Sequence, residues 1–301
     1  MMLFDIQRNS SVDGPGVRTT VFFKGCNLIC EWCHNPESQS AKKQMLFYKN
    51  RCKNCGMCLK KCPTGGIYNP EKCTFCGQCE FYCLQDARKI CGKDYTVDEV
   101  MDIIEKDRSF YNVSGGGVTF SGGECMLQID SLCELLKSCK DRGIHTAVDT
   151  AGHVPWESFE LILPYTDLFL YDVKSMIPQV HKKYTGADNK EILDNLAKLM
   201  ETKKRIWVRF PVIPTVNDTL DEMKLLINFF DKHGYPEKTE LLPYHSMGNV
   251  KYEALGREYS SFPNVNPETM KTMEIFLQSA FSANELTTEK NNIANNLPTK
   301  C

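Results

Sequence analysis

Long apolar runs are missing from this chain of 301 residues. No stretch nears the roughly 18–20 apolar residues that a membrane helix needs, so no membrane span is expected. An excess of charge of either sign is missing too. Lys and Arg number 36 against 38 Asp and Glu, and this balance offers no basic face to nucleic acid. The first residues, Met1-Met2-Leu3-Phe4-Asp5-Ile6-Gln7, lack the basic stretch and apolar core of a secretory signal, which predicts a cytoplasmic protein. Histidine is scarce, and His145, His153, His181 and His233 fit no site spacing. Gly115-Gly116-Gly117 is not followed by Lys-Ser/Thr, so it reads as a strand entry and not as a phosphate loop.

Cysteine is abundant, with 16 residues. In a reducing compartment such density points to metal ligands and not to disulfides. Eleven of them lie between Cys26 and Cys83 in three spaced groups. Cys52-x2-Cys55-x2-Cys58-x3-Cys62-Pro63 matches the bacterial ferredoxin run, and Cys73-x2-Cys76-x2-Cys79-x3-Cys83 repeats its spacing without the proline. In that pattern the fourth cysteine of each run crosses to the other cluster. Cys52, Cys55, Cys58 and Cys83 therefore form one expected ligand set, and Cys62, Cys73, Cys76 and Cys79 the other. A pair of structural zinc sites fits poorly, because zinc takes four ligands, usually as two separated pairs. Cys91, Cys125, Cys133, Cys139 and Cys301 share no such spacing and read as buried or incidental thiols.

Outside this region short β-rich runs alternate with helical patterns. The strand candidates are 17–23, 117–121, 145–149, 167–173, 206–212 and 239–242. Thr96 and Glu99 form a capping box that opens a helix running to about Arg108. A periodic stretch at 127–142 ends at Gly143, a helix stop signal. Stretches 189–202 and 218–231 are further amphipathic helices. Six strands with intervening helices predict an α/β fold, a parallel sheet with right-handed crossovers forming a partial (β/α)6 barrel. The segment at 48–93 breaks the alternation and is expected to be a small inserted domain held by metal instead of a core. The expected division is 1–47 and 94–283 for the barrel, 48–93 for the insert, and 284–301 for a polar tail.

Cys26-x3-Cys30-x2-Cys33 follows directly on the first predicted strand. Three cysteines leave one iron of a cubane without a protein ligand, and an open coordination site is what chemistry needs. By itself the triplet is also a possible start of a zinc site. Ser121-Gly122-Gly123-Glu124, Asp149-Thr150, Asp172-Val173-Lys174, Arg209-Phe210-Pro211 and Pro243-Tyr244-His245 each fall at or just past the C-terminal end of a predicted strand, the rim where α/β barrels build their sites.

The triplet, with Trp32 before its last cysteine, and the Gly-Gly-Glu turn resemble the radical S-adenosylmethionine (SAM) superfamily. Asp13-Gly14-Pro15-Gly16-Val17-Arg18, Cys33-His34-Asn35-Pro36-Glu37-Ser38 and the ferredoxin-like run resemble, more closely, glycyl-radical-enzyme activating enzymes. That resemblance covers about residues 3–280. It implies three four-iron clusters, with the one on Cys26, Cys30 and Cys33 binding SAM. It implies that Gly122, Gly123 and Glu124 face the methionyl amino group and that Lys174 pairs with the carboxylate. Asp172 and His245 are expected at the ribose or adenine, Trp32 and the backbone of His34 beside the adenine, and Val173 among the residues that bind the cofactor. Asp149 and Thr150 are expected to hold a monovalent cation, and Arg209 to lie near the sulfonium or the partner. The implied partners are a glycyl radical enzyme of the dehydratase, decarboxylase or C–N lyase kind and an electron donor such as flavodoxin or ferredoxin. The relatives bearing such an insert include the activator of trans-4-hydroxy-L-proline dehydratase. Two other readings remain open: a radical SAM enzyme acting on a small molecule or another peptide, and a plain electron carrier. The Asp13–Arg18 loop, with two glycines around Pro15, is expected to receive the partner's peptide, with Asp13 and Arg18 offering charges to it. The competing expectation is a tight turn with Arg18 paired locally.

Overall fold

A computed structural model describes residues 1–295, with side chains through residue 284. Its strands are β1 (Met2–Ser10), β2 (Arg18–Phe23), β3 (Gln44–Phe47), β4 (Arg88–Cys91), β5 (Lys93–Asp94), β6 (Gly117–Gly122), β7 (His145–Thr150), β8 (Leu168–Asp172), β9 (Arg205–Val212) and β10 (Lys238–Pro243). Eight form one mixed sheet in the order β10-β9-β8-β7-β6-β2-β1-β5. The six strands from β2 through β10 in that row run parallel, and they are the six expected from sequence. β1 and β5 add an antiparallel edge. That edge was not among the expected strands: β1 is half exposed and carries only a weak alternation of apolar residues.

The helices are α1 (Met57–Lys61), α2 (Gln78–Phe81), α3 (Val97–Glu105), α4 (Arg108–Ser114), α5 (Ile129–Asp141), α6 (Trp156–Ile162), α7 (Pro178–Thr185), α8 (Lys190–Glu201), α9 (Leu220–His233), α10 (Asn249–Ala254) and α11 (Pro267–Asn295). The Thr96–Glu99 capping box is formed as expected. The helix it opens ends at Glu105, short of the expected Arg108. At this break Asp107 is fully buried and takes hydrogen bonds from Arg8 and from the Thr19 hydroxyl. α11 extends through residue 295, so the segment expected as a polar tail begins inside a helix; residues 296–301, Cys301 among them, lie outside the described residues. Among the described residues no helix is long and apolar enough to cross a membrane.

Side chains alternate across each strand, and this places the chemistry. In β9, Ile206, Val208, Phe210 and Val212 face the helices and belong to the main core. Arg209 lies on the opposite, inner face with Trp207. In β8, Phe169 and Tyr171 point to the helices, while Leu168 and Leu170 join Ala147 and Trp207 in a small inner plug. Two residues further along β7 and β8, the inner positions are Asp149 and Asp172. The sheet thus carries an apolar plug with a charged layer above it at the C-terminal strand ends.

Arg18 occupies the N-terminal end of this interior. It is completely buried and donates to the Thr119 hydroxyl (2.6 Å), Pro15 O (3.1 Å) and Val118 O. Burial lowers its pKa to about 10. The expectation that Arg18 meets a partner is therefore corrected, because its guanidinium is turned inward to Pro15 O of the β1–β2 turn and to Val118 and Thr119 of β6. Gly16 in that turn has φ +67°, and a Cβ there would stand 2.5 Å from Gly116 N, so the turn is built on glycine.

Candidate active site

The Cys26–Cys33 loop leaves the C-terminal end of β2 and is tied down along its length. Ile29 N donates to Thr185 O (2.9 Å) and Glu31 N to Tyr184 O (3.0 Å), both at the end of α7. The Tyr252 hydroxyl donates to Cys30 O (3.3 Å). Cys26, Cys30 and Cys33 line one cavity of about 250 Å³ with Trp32, His34, Gly122, Gly123, Asp149, Thr150, Asp172, Lys174, Arg209 and His245. Ten residues scattered over 220 positions thus meet with the triplet at the C-terminal strand ends. Burial pushes the Cys26 and Cys30 thiols up to about 12. Thiolates at this place need a strong cationic partner.

The charged layer is one network. Arg209 Nε donates to Asp172 Oδ1 (3.2 Å) and Arg209 Nη2 to Asp149 Oδ2 (3.4 Å). Lys174 Nζ donates to Asp172 Oδ2 (3.0 Å), and the Ser121 hydroxyl to Asp149 Oδ2 (2.6 Å). Two cations thus face two carboxylates, which balances the layer. Burial raises Asp149 to about 6 against the pull of Arg209. Asp172 is buried as well, yet Lys174 and Arg209 together hold it below its ordinary value.

The Gly-Gly-Glu turn is set by close packing. Gly122 has φ +121°, and a Cβ on it would stand 2.2 Å from Phe23 O; one on Gly123 would stand 2.2 Å from Gly25 O. Gly123 N donates to Phe23 O (2.9 Å) and Glu124 N to Gly25 O (2.8 Å). The glycines thus let β6 seat the triplet loop. The Glu124 side chain is buried away from the cavity: it accepts from the Thr150 hydroxyl (2.8 and 2.9 Å) and Ala151 N (3.1 Å). Burial raises it to about 7. Val173 also points away from the cavity, into the main core. The rings of His34 and His245 meet edge to face at 4.6 Å, and burial lowers His34 to about 4. Trp32 packs near Tyr184 and Phe262.

The model of the radical SAM superfamily matches residues 70–229, which takes in four of the rim segments but begins beyond the Cys26 triplet. The chain is 42% identical over 286 residues to a trans-4-hydroxy-L-proline dehydratase activating enzyme of Clostridioides difficile, covering 91% of this chain and 94% of the relative. It is 41% identical over 272 residues to a choline trimethylamine-lyase activating enzyme of Oleidesulfovibrio alaskensis, covering 86% and 88%. This chain belongs to the radical SAM activating enzymes. It cleaves S-adenosyl-L-methionine reductively at a four-iron cluster and so activates a glycyl radical enzyme. The sheet topology agrees with a distant structure, Streptococcus suis SuiB bound to its precursor peptide SuiA. That match has a TM-score of 0.55 at 11% identity over 88% of this chain and 46% of the other.

The donor set of this activating enzyme fits such a cluster. Among the described residues all fifteen cysteines are free of disulfides, and no three His, Cys, Asp or Glu side chains converge on one ion. In a four-iron cluster each thiolate holds its own iron, so the ligands stand further apart than those that share one ion.

The eight cysteines from Cys52 to Cys83 gather in two fours. Residues between β3 and β4 are bracketed by an antiparallel strand pair, and among them Tyr48 packs against a described hydrophobic cluster. Cys52, Cys55, Cys58 and Cys83 line one small cavity, and Cys62, Cys73, Cys76 and Cys79 another. The backbone repeats as well. Asn54 and Phe75, with φ of 53° and 52°, precede the second cysteine of each run, and Gly56 and Gly77, with φ of 71° and 80°, follow it. Backbone N–H groups of Ile67, Thr64 and Gly66 lower the Cys62 thiol below its ordinary value.

Several residues of the activating enzyme's site escaped the sequence reading. Asn217, fully buried, donates to Lys174 O (2.7 Å) and Pro211 O (2.7 Å) and accepts from Ile213 N (2.6 Å), which anchors two rim segments. Glu222 accepts from the Ser175 hydroxyl (2.5 Å) and Met176 N (2.6 Å) just past Lys174. Asn217 carries no recognisable motif, and Glu222 stands in the Thr219-Leu220-Asp221-Glu222 capping pattern, which announces a helix start and not a site.

Proposed function

We propose that this activating enzyme carries three four-iron clusters and serves a glycyl radical enzyme of the dehydratase, C–N lyase or decarboxylase kind, with trans-4-hydroxy-L-proline dehydratase the first partner to test. The observation that carries the reading is the gathering of Cys26, Cys30 and Cys33 beneath a balanced charged layer, beside two further sets of four cysteines. Cys26, Cys30 and Cys33 would hold the SAM-binding cluster, and Cys52, Cys55, Cys58 with Cys83, and Cys73, Cys76, Cys79 with Cys62, the other two. The cluster when bound supplies one electron to the sulfonium of SAM, releasing methionine and a 5′-deoxyadenosyl radical that removes hydrogen from a glycine Cα.

The chain's own side chains orient the substrate. Lys174 is the cation for the SAM carboxylate, and the Gly122–Gly123 backbone faces the amino group. Trp32, His34, Asp172 and His245 border the nucleoside. Glu124 acts through Thr150 and Ala151 in holding the turn, and Val173 acts by seating Lys174. Arg209 keeps Asp149 and Asp172 ionised and in place, and Asp149 with Thr150 is the candidate seat of a monovalent cation. The division into barrel segments 1–47 and 94–283 around an insert at 48–93 follows the same reading, as does an electron donor such as a flavodoxin or ferredoxin. The near-equal identities to activators of two chemically different enzymes leave the choice of partner to experiment.

Anaerobically reconstituted protein is expected to hold about 12 iron and 12 sulfide. Incubated with SAM, reductant and each candidate partner, it is expected to give a glycyl radical signal in electron paramagnetic resonance with one of them. About four iron per chain would remove the insert's clusters. Formation of 5′-deoxyadenosine with no glycyl radical on any candidate would exclude these partners.

The Asp13–Val17 turn allows a sharper test. The SAM cavity adjoins a second one of about 640 Å³ lined by Asp13, Val12, Gln7, Tyr48 and Lys89 as well as Arg209 and His245. Asp13 Oδ2 accepts from the Ser10 hydroxyl (2.6 Å) and the Thr20 hydroxyl (2.7 Å), which holds the turn against this space. Asp13→Ala is expected to leave partner-free SAM cleavage nearly intact while cutting glycyl radical yield on the order of 100-fold, because a target displaced by ~1 Å loses about that much. Both products are measured in one reaction; equal losses would assign Asp13 to the cluster's support.

A further inference from the structure

The charge of this chain is unevenly placed. Residues 48–93 contain nine Lys and Arg against three Asp and Glu, a net of +6, within a chain whose overall balance is −2. The basic side chains gather at one of the two cysteine sets. Lys53 lines the cavity of Cys52, Cys55, Cys58 and Cys83. Lys61 lies 4.7 Å over the ring of Tyr82, which lines the same cavity. Arg51 reaches to Asp86 O (3.5 Å), three residues past Cys83. The other cavity has no Lys or Arg in its lining. The same cavity carries an apolar point: Leu84 is 93% exposed and Met57 39%, and both line it together with the exposed Cys55.

We propose that this face is the electron entry port, where an acidic one-electron donor protein docks with its redox centre over Leu84 and Met57. The inference rests on the reading that the insert holds iron–sulfur clusters, and it assigns the donor's place and charge. Interfaces between redox proteins are small and short-lived. They gain specificity and speed chiefly from complementary charge, which raises association 10- to 10³-fold at low salt. Lys53, Lys61 and Arg51 beside an exposed apolar contact at a thiolate set meet that need, with an acidic partner as their complement. The step moves one electron: the reduced donor is oxidised by one, the cluster on Cys52, Cys55, Cys58 and Cys83 is reduced by one, and no bond forms or breaks. The acidic remainder of the chain, about −8, repels the same donor from the barrel surface and directs it to the insert.

The test is anaerobic stopped-flow reduction of the reconstituted full chain by a purified acidic flavodoxin held as its hydroquinone, with dithionite as the small-molecule control. The second-order rate constant is expected to fall steeply between about 50 mM and 500 mM salt. Lys53→Glu with Lys61→Glu is expected to lower it on the order of 10-fold or more at low salt and to flatten the salt dependence. Lys53→Gln with Lys61→Gln is expected to have a smaller effect of the same sign, and Lys224→Glu on the barrel none. Reduction by dithionite and the iron content are expected to match the unaltered protein. Unchanged flavodoxin rates in the double reversal at full iron content would overturn the entry port alone. An iron content of about four per chain in the unaltered protein would remove the clusters and the port together.

Discussion

Replacing Cys26, Cys30 and Cys33 together by alanine is expected to abolish 5′-deoxyadenosine formation while about eight of 12 iron atoms remain. The two outcomes separate because the ligand sets are physically separate. The triplet lies between β2 and α7, seated by Thr185 O and Tyr184 O, whereas the insert's cysteines line their own two cavities beyond the β3–β4 hairpin. On the proposed assignment a lost triplet removes the one set with three ligands, and hence the open iron. Chromatographic assay of 5′-deoxyadenosine beside iron analysis reads both. Continued production at the unaltered rate would place SAM cleavage elsewhere; loss of all iron would show that the three sets assemble as one unit.

The second large effect is expected at Arg209. Its guanidinium is the shared partner of Asp149 and Asp172, at 3.4 and 3.2 Å, and all three side chains are 20% exposed or less. Arg209→Leu leaves two facing carboxylates with only Lys174 to balance them. Removing one partner of a buried pair costs about 3–5 kcal/mol; these side chains keep 12–20% exposure, so about 2–3 kcal/mol is expected here. For a domain of this size that lowers the melting temperature by roughly 5 °C. Arg209→Lys is expected to recover part of the loss, since one ammonium cannot bridge both carboxylates as a planar fork does. SAM cleavage is expected to fall in both variants, because Asp172 orients Lys174. Thermal denaturation of the anaerobic protein compares the three forms. A melting temperature for Arg209→Leu equal to that of the unaltered protein would show that the layer is not held by this pair.

Much of this protein is legible without coordinates, where the determining physics is local. The gaps in Cys26-x3-Cys30-x2-Cys33 and in the two doubled runs are covalent distances, so they set which thiols can reach a shared cluster. The apolar runs of β8 and β9 put Asp172 and Arg209 toward the C-terminal strand ends, the rim where such folds build their sites, before any packing is known. Six of the eight main-sheet strands follow from apolar runs that a doubly covered parallel sheet requires; β1, half exposed, has no such run.

Tertiary structure alone decided where the polar groups point. Arg18 and Glu124 both stand in motifs at the edge of the site, yet one is sealed under the β1–β2 turn and the other is folded onto Thr150. Each is drawn in by backbone and hydroxyl groups that would otherwise be buried without partners. Asn217 and Glu222 became site residues because the rim loops left N–H and C=O groups for them to satisfy, a demand set by how distant segments pack. The gathering of Lys53, Lys61 and Arg51 around one cysteine set and not the other has the same origin. Spacing and periodicity are properties of neighbouring residues and survive in the sequence. The direction of a side chain is settled by which distant group needs its hydrogen bond, and that appears only once the chain has closed on itself.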